Sequence, residues 1–193
     1  MLKKILLLVL VLLIIIQFIH PSRNISTGEQ PHNIAQTFNV PTEVKTILDK
    51  ACMDCHSNNT RYRWYFKIQP VDWWLTNHVN EGKRELNFDE YTNKSLRYQY
   101  HKMESTVDMV KKGEMPLDSY LWVHKDAILS DAEKNVLINW AQGIVNGMRQ
   151  NILPTVSNKR KGDGGYTVRQ EISHSTETSI FYISVQHYKS KIV

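Results

Sequence analysis

Cysteine is nearly absent: Cys52 and Cys55 are the only two in 193 residues, and they stand three apart. A disulfide-stapled secreted scaffold needs more cysteines at wider spacings, so the pair reads as a reactive or ligand-bearing site. A closed structural zinc site wants four ligands, and there is no second cysteine pair to supply them. Clustered charge is lacking as well. The formal net charge is +5, but the 24 Lys and Arg are scattered, which argues against a dedicated nucleic-acid surface. A mildly basic domain of this kind can dock acidic partner proteins. No internal repeat is visible, and no convincing strand precedes residue 160. A thioredoxin-like dithiol would need a βαβ context, which is also missing.

The first nineteen residues are of a different kind. Lys3 and Lys4 precede an unbroken apolar run over residues 5–16, which continues past Gln17 to Phe18 and Ile19. Charge followed by apolar residues is the grammar of an export signal. A helix over residues 5–19 reaches about 22 Å at 1.5 Å per residue, short of a roughly 30 Å hydrocarbon core. Snorkelling lysines make up part of the difference. No small-x-small cleavage site follows, and no lipidation cysteine lies near. Residues 1–19 are therefore expected to be an uncleaved signal anchor, with a cleaved signal peptide as the alternative. Either keeps the lysines inside and exports the rest. The protein is then expected at the outer face of the inner membrane with a periplasmic domain, or free in the periplasm after cleavage.

Residues 20–39, polar and punctuated by Pro21, Gly28 and Pro31, read as a tether. From Pro41 on, apolar residues recur at helical steps. Val44, Ile47, Leu48, Ala51 and Cys55 form one stripe; Val71, Trp74, Leu75, His78 and Val79 form a second, which loosens at Gly82. Leu96, Tyr100, Met103, Val107 and Val110 form a third, with Gly113 placed as its C-terminal cap. Ser130 and Glu133 make a capping box that opens a last helix carrying Val136, Leu137, Trp140, Ala141 and Ile144, with Gly147 as its stop. The expected fold is all-α: a domain of four main helices over residues 40–152, behind an N-terminal apolar helix. Residues 153–193 read as a poorly ordered tail in which residues 179–185 have strand-like composition.

The two cysteines belong to Cys52-Met53-Asp54-Cys55-His56, and C-x-x-C-H is the attachment sequence for c-type haem. Two thiols three apart on a helical turn reach the two vinyl groups on one porphyrin edge. The histidine beside the second thiol is carried beneath the iron. Methionine or histidine usually completes the axial pair, and methionine raises the potential. Met115 is the preferred sixth ligand, in a loop after a capped helix and stiffened by Pro116. His78 is its main rival, followed by His101 and His124; Met103 and Met109 lie in a helical pattern that suits the core or surface. Met53, inside the attachment loop, points the wrong way. Arg61, Arg63 and Lys67 can neutralise haem propionates or be solvated surface charges. Trp64, Trp73, Trp74, Trp122 and Trp140 include candidates to wall the porphyrin, though core packing serves equally for any one of them.

Several segments share a further likeness. Val40-Pro41, Cys52-Met53-Asp54-Cys55-His56-Ser57-Asn58, Trp64-Tyr65, Pro70-Val71, Val79-Asn80-Glu81-Gly82, Leu86-Asn87-Phe88, Gly113-Glu114-Met115-Pro116 and Leu129-Ser130-Asp131-Ala132-Glu133 together resemble the bacterial haem-binding-domain proteins. These are short, membrane-anchored and cytochrome-c-like. The resemblance covers about residues 38–145 and implies haem c on Cys52 and Cys55 with His56 as proximal ligand. It favours Met115 only by analogy with monohaem cytochromes c, and the chain after residue 156 departs from the family's usual ending. The expected function is a monohaem electron carrier that exchanges electrons with redox partner proteins and is not itself an enzyme. The alternative is a peroxide-reducing enzyme or gas sensor whose sixth position is open or labile.

Overall fold

The computed structural model describes residues 1–160, with side chains through residue 150. The Cys52–His56 motif lies in the compact unit Met1–Leu153. Among the described residues the regular structure is helical: α1 (Leu2–Ile16), α2 (Thr42–Ala51), α3 (Met53–His56), α4 (Val71–Glu85), α5 (Leu96–Lys111), α6 (Asp118–Leu121) and α7 (Asp131–Arg160), with short 3-10 turns between them. Residues 179–185, with their strand-like composition, lie outside the described residues.

The core forms where α2, α5 and α7 meet. Val44, Ile47 and Leu48 of α2, Met103, Val107 and Val110 of α5, and Leu137, Ala141 and Val145 of α7 are all buried in one cluster, joined by Leu86, Phe88 and Tyr91. Local signals set the helix ends as the sequence suggests. The Ser95 hydroxyl accepts from the Tyr98 amide at 3.3 Å, and Gly113 takes φ +67° just past α5, a left-handed conformation glycine adopts without steric cost. The Ser130–Glu133 capping box closes in both directions, at 2.9 Å and 3.3 Å.

Three features differ from expectation. First, α7 runs through Gly147 to Arg160; a lone glycine costs a helix only about 1 kcal/mol, and Met148, just beyond it, is buried in the core. Second, α4 continues through Gly82 to Glu85, and its buried face takes in only part of the apolar stripe. Asp72, Thr76, His78 and Val79 are inward, whereas Val71, Trp73 and Trp74 are exposed. Third, residues 20–39 are bonded to the helical domain along most of their length. The Asn24 side chain donates to the Ser57 carbonyl at 3.0 Å and to the Thr60 hydroxyl at 2.9 Å. Its amide donates to the Tyr62 hydroxyl at 2.6 Å. Further along, Asn33 donates to Asp89 at 2.7 Å, Gln30 accepts from Asn58 at 2.7 Å, and Ile34 enters the core. The segment is a strap held by specific polar pairs.

The strap also explains how α4 can bury Asp72. Asp72 is 0% exposed and would be costly there as a lone charge. Arg23 meets it with a two-pronged contact at 2.7 Å and 3.1 Å, and His20 Nδ1 lies 2.9 Å from the same carboxylate. Gln69 and Thr76 complete the set at 3.3 Å and 3.4 Å. Every residue of α1 at its N-terminal side is exposed and none of the helix is buried. No described helix is long and apolar enough to cross a membrane.

Candidate functional site

The motif sits at a break in the chain. Helix α2 ends at Ala51, Cys52 adopts φ −125°, and α3 starts at Met53. The Cys52 carbonyl accepts from the amides of Cys55 at 3.2 Å and His56 at 3.0 Å. The turn so formed carries both thiols and the imidazole. The expected single helix ending in the motif is thus two helices hinged at Cys52. Both cysteines are free and half-buried. Burial pushes each thiol up to about 12; the neighbouring Cys55 adds to this for Cys52, and Asp54 does so for Cys55. At neutral pH both are therefore thiols.

His56 is oriented from behind. Its Nδ1 lies 2.9 Å from the Leu86 carbonyl, the cap residue after α4. Donation from Nδ1 fixes the tautomer and leaves Nε2 with the lone pair, the arrangement that ligating histidines adopt. Burial lowers the imidazole's pKa, which keeps it neutral, and Phe88 packs edge-on at 6.5 Å. No residue type signals a carbonyl acceptor, so Leu86 could not be found from the sequence.

Gly82 explains how α4 comes so close. A Cβ at this position would stand 2.8 Å from the Cys55 carbonyl oxygen and 2.9 Å from Cys55 Cβ. Both atoms belong to the motif and cannot swing away. Gly82→Ala gains about 1 kcal/mol in helix propensity but incurs an overpacking cost of about 3 kcal/mol. A net loss of about 2 kcal/mol is expected in urea unfolding, with less haem bound per chain; an unchanged midpoint would count against the close contact.

Asp54, between the two cysteines, is 5% exposed and links the motif to two other segments. Arg61 donates to it at 2.8 Å and 3.3 Å, and the Tyr120 hydroxyl does so at 2.8 Å. Arg61 is thereby engaged with the motif itself, and Arg63 pairs with Asp126 at 3.5 Å. Tyr120 stands on α6, directly after the loop that holds Met115. Met115 is half-buried, and its amide is 3.3 Å from the Met109 carbonyl. The Tyr120–Asp54 bond therefore ties the Met115 segment to the attachment turn.

The other candidate ligands differ sharply in their surroundings. His124 is buried with both ring nitrogens engaged, at 2.6 Å to the Tyr65 hydroxyl and 2.9 Å to the Tyr120 carbonyl, and its ring stacks on Tyr120 at 3.9 Å. His101 is exposed and 3.3 Å from Glu104. Met103 is a core residue and Met53 packs against the core. His78 is buried with neither nitrogen hydrogen-bonded, its ring edge-on to Trp74 at 4.6 Å, and burial lowers its pKa. Asp54, Gly82 and Tyr120 carry no signal of a site role in the sequence pattern, apart from the place of Asp54 inside the motif.

Among the described residues the fold is all-α, and one short turn brings Cys52, Cys55 and His56 together. The chain matches the family model for the haem-binding domain over residues 11–143. It belongs to that family, and haem is the cofactor that membership supports. The match begins well before residue 38 and so includes the strap and the end of α1. No curated protein and no solved structure matches the chain.

Proposed function

We propose that this protein carries one covalently attached c-type haem and acts as a monohaem electron carrier at the outer face of the inner membrane. Cys52 and Cys55 would hold the porphyrin by thioether bonds, His56 would be the proximal ligand and Met115 the distal one. When bound, the haem supplies one-electron chemistry at the iron. The observation that carries this reading is the 2.9 Å hydrogen bond from His56 Nδ1 to Leu86, which reserves Nε2 for a metal in the turn that also presents two unpaired thiols. The donor set fits haem better than zinc. Among the described residues no three His, Cys, Asp or Glu are grouped to hold a metal ion. Zinc would also first have to deprotonate two thiols held at about 12.

With His56 and Met115 closing both axial positions, the protein has no place for a substrate on the iron, which favours a carrier over an enzyme. Redox partner proteins are then its natural counterparts. The lysine-flanked apolar α1, none of whose residues is buried, favours attachment to the membrane, the anchor being short by the length argument above.

His78 supports a second axial assignment, since its two buried nitrogens have no partner. Spectra of the matured protein separate the readings. A low-spin iron with the Met-to-iron charge-transfer band is expected in the wild type, lost in Met115→Ala and kept in His78→Ala. A band that survives Met115→Ala removes Met115 from the assignment. High-spin five-coordinate iron in the wild type favours the peroxide-reducing or gas-sensing alternative.

A further inference from the structure

Helix α4 leaves part of its apolar surface outward. Val71, Trp73 and Trp74 are exposed, as is Ile68 just before them, and Trp74 is 41% accessible. Two tryptophans and two branched aliphatics within seven residues form an exposed patch that the core does not use. Its position is informative, because it lies where the apolar α1 joins the domain. At the end of α1, Gln17 pairs with both backbone groups of Gln69, accepting from its amide at 2.9 Å and donating to its carbonyl at 3.2 Å. The Ile19 carbonyl accepts from the Gln69 side chain at 2.8 Å and from the Trp73 indole at 3.0 Å. His20 and Arg23 then close on Asp72. No slack separates the helix from the patch.

Length turns this into a constraint. The 15 residues of α1 extend about 22 Å, roughly 8 Å less than a hydrocarbon core. With Lys3 and Lys4 at the inner headgroups, the C-terminal end of α1 stops inside the outer acyl boundary. A free tether would let the domain float above that boundary. The Gln17–Gln69 clamp instead draws it down, and what meets the lipid is Phe18, Ile19 and the α4 patch. Tryptophan is the side chain that favours that depth, with its apolar ring in the acyl region and its N–H at the polar boundary.

We propose that Ile68, Val71, Trp73 and Trp74, with Phe18 and Ile19, form a seat that holds the haem domain directly against the phospholipid bilayer in which α1 is inserted. This rests on α1 being a membrane anchor, as read above. The seat makes good the missing length of the anchor and gives the domain one fixed orientation on the membrane.

The test uses the full-length haem-loaded protein in vesicles of phosphatidylcholine and phosphatidylglycerol, with acyl chains either plain or brominated near the headgroup. Brominated lipid is expected to quench the tryptophan emission of the wild type. In Trp73→Phe/Trp74→Phe the quenched component is expected to fall by at least about twofold, with vesicle flotation unchanged. A wild type that floats with the vesicles but whose quenching is indifferent to the double substitution overturns the seat and leaves the anchor standing. A wild type that fails to float overturns both. If sedimentation in detergent finds a dimer that the double substitution dissociates, the patch belongs to a second copy of the chain and the seat is likewise overturned.

Discussion

The Cys52→Ser/Cys55→Ser double variant is expected to carry no haem after denaturation, whereas the wild type retains it on a denaturing gel stained for peroxidase activity. These are the only cysteines in the chain, so nothing else can form a thioether. The rest of the motif would remain: His56 stays bonded to Leu86 and Asp54 to Arg61 and Tyr120. Serine is close in size and both thiols are half-buried, so the fold is expected to survive. Each single variant keeps one attachment point and should stain more weakly. Stain that persists in the double variant, or a wild type that binds stoichiometric zinc and no haem, would falsify the covalent reading. The contrast is all or none, which makes it the most decisive measurement on the site.

The largest expected stability change lies away from the motif. Asp72→Ala should cost about 3 kcal/mol in urea unfolding. The carboxylate is 0% exposed and holds the Arg23 guanidinium, the His20 ring, Gln69 and Thr76. Arg23 keeps its bond to the Phe66 carbonyl at 3.1 Å and its place over the Tyr62 ring at 4.6 Å when the partner is removed. A part-buried cation then faces a cavity, and truncating one member of such a pair costs far more than a surface ion pair does. Arg23→Gln should be milder, since glutamine can still donate and His20 remains beside the carboxylate. A loss below about 1 kcal/mol for Asp72→Ala would mean that water replaces the strap at little cost.

These two regions mark how far the sequence could be read. The buried stripes of α2, α5 and α7 were legible because each follows a helical period and the three converge on one core. Extent and face separated in α4. Its start after Pro70 was legible, but Val71 and Trp74 look inward by pattern alone and lie outward in fact. What the pattern misses is the Asp72–Arg23 pair across 49 positions, and no local rule carries information over that distance. The strap was read as loose for the same reason. Asn24, Gln30 and Asn33 are ordinary loop residues until Ser57, Asn58 and Asp89 are placed beside them.

At the site, the residue types that do chemistry were visible and the groups that aim them were not. Cys52, Cys55 and His56 announce themselves by spacing. The Leu86 carbonyl and the absent Cβ of Gly82 have no side-chain signature, yet one sets the imidazole and the other lets α4 approach. For the sixth ligand the sequence ranks Met115 first, His78 second, and His101 and His124 after them. In the folded chain His124 and His101 are engaged elsewhere, and Met115 and His78 remain as the two to separate by spectroscopy.

The strap has a consequence in time as well as in space. A chain made from its N-terminus produces residues 17–34 before anything they bond to exists. Ser57, Thr60, Tyr62, Gln69, Asp72 and Asp89 all come later, and Cys52–His56 emerges between the two groups. For that interval the attachment turn stands with its strap unfastened and α4 not yet laid against Cys55. The order of synthesis thus puts both thiols in place before the elements that half-bury them.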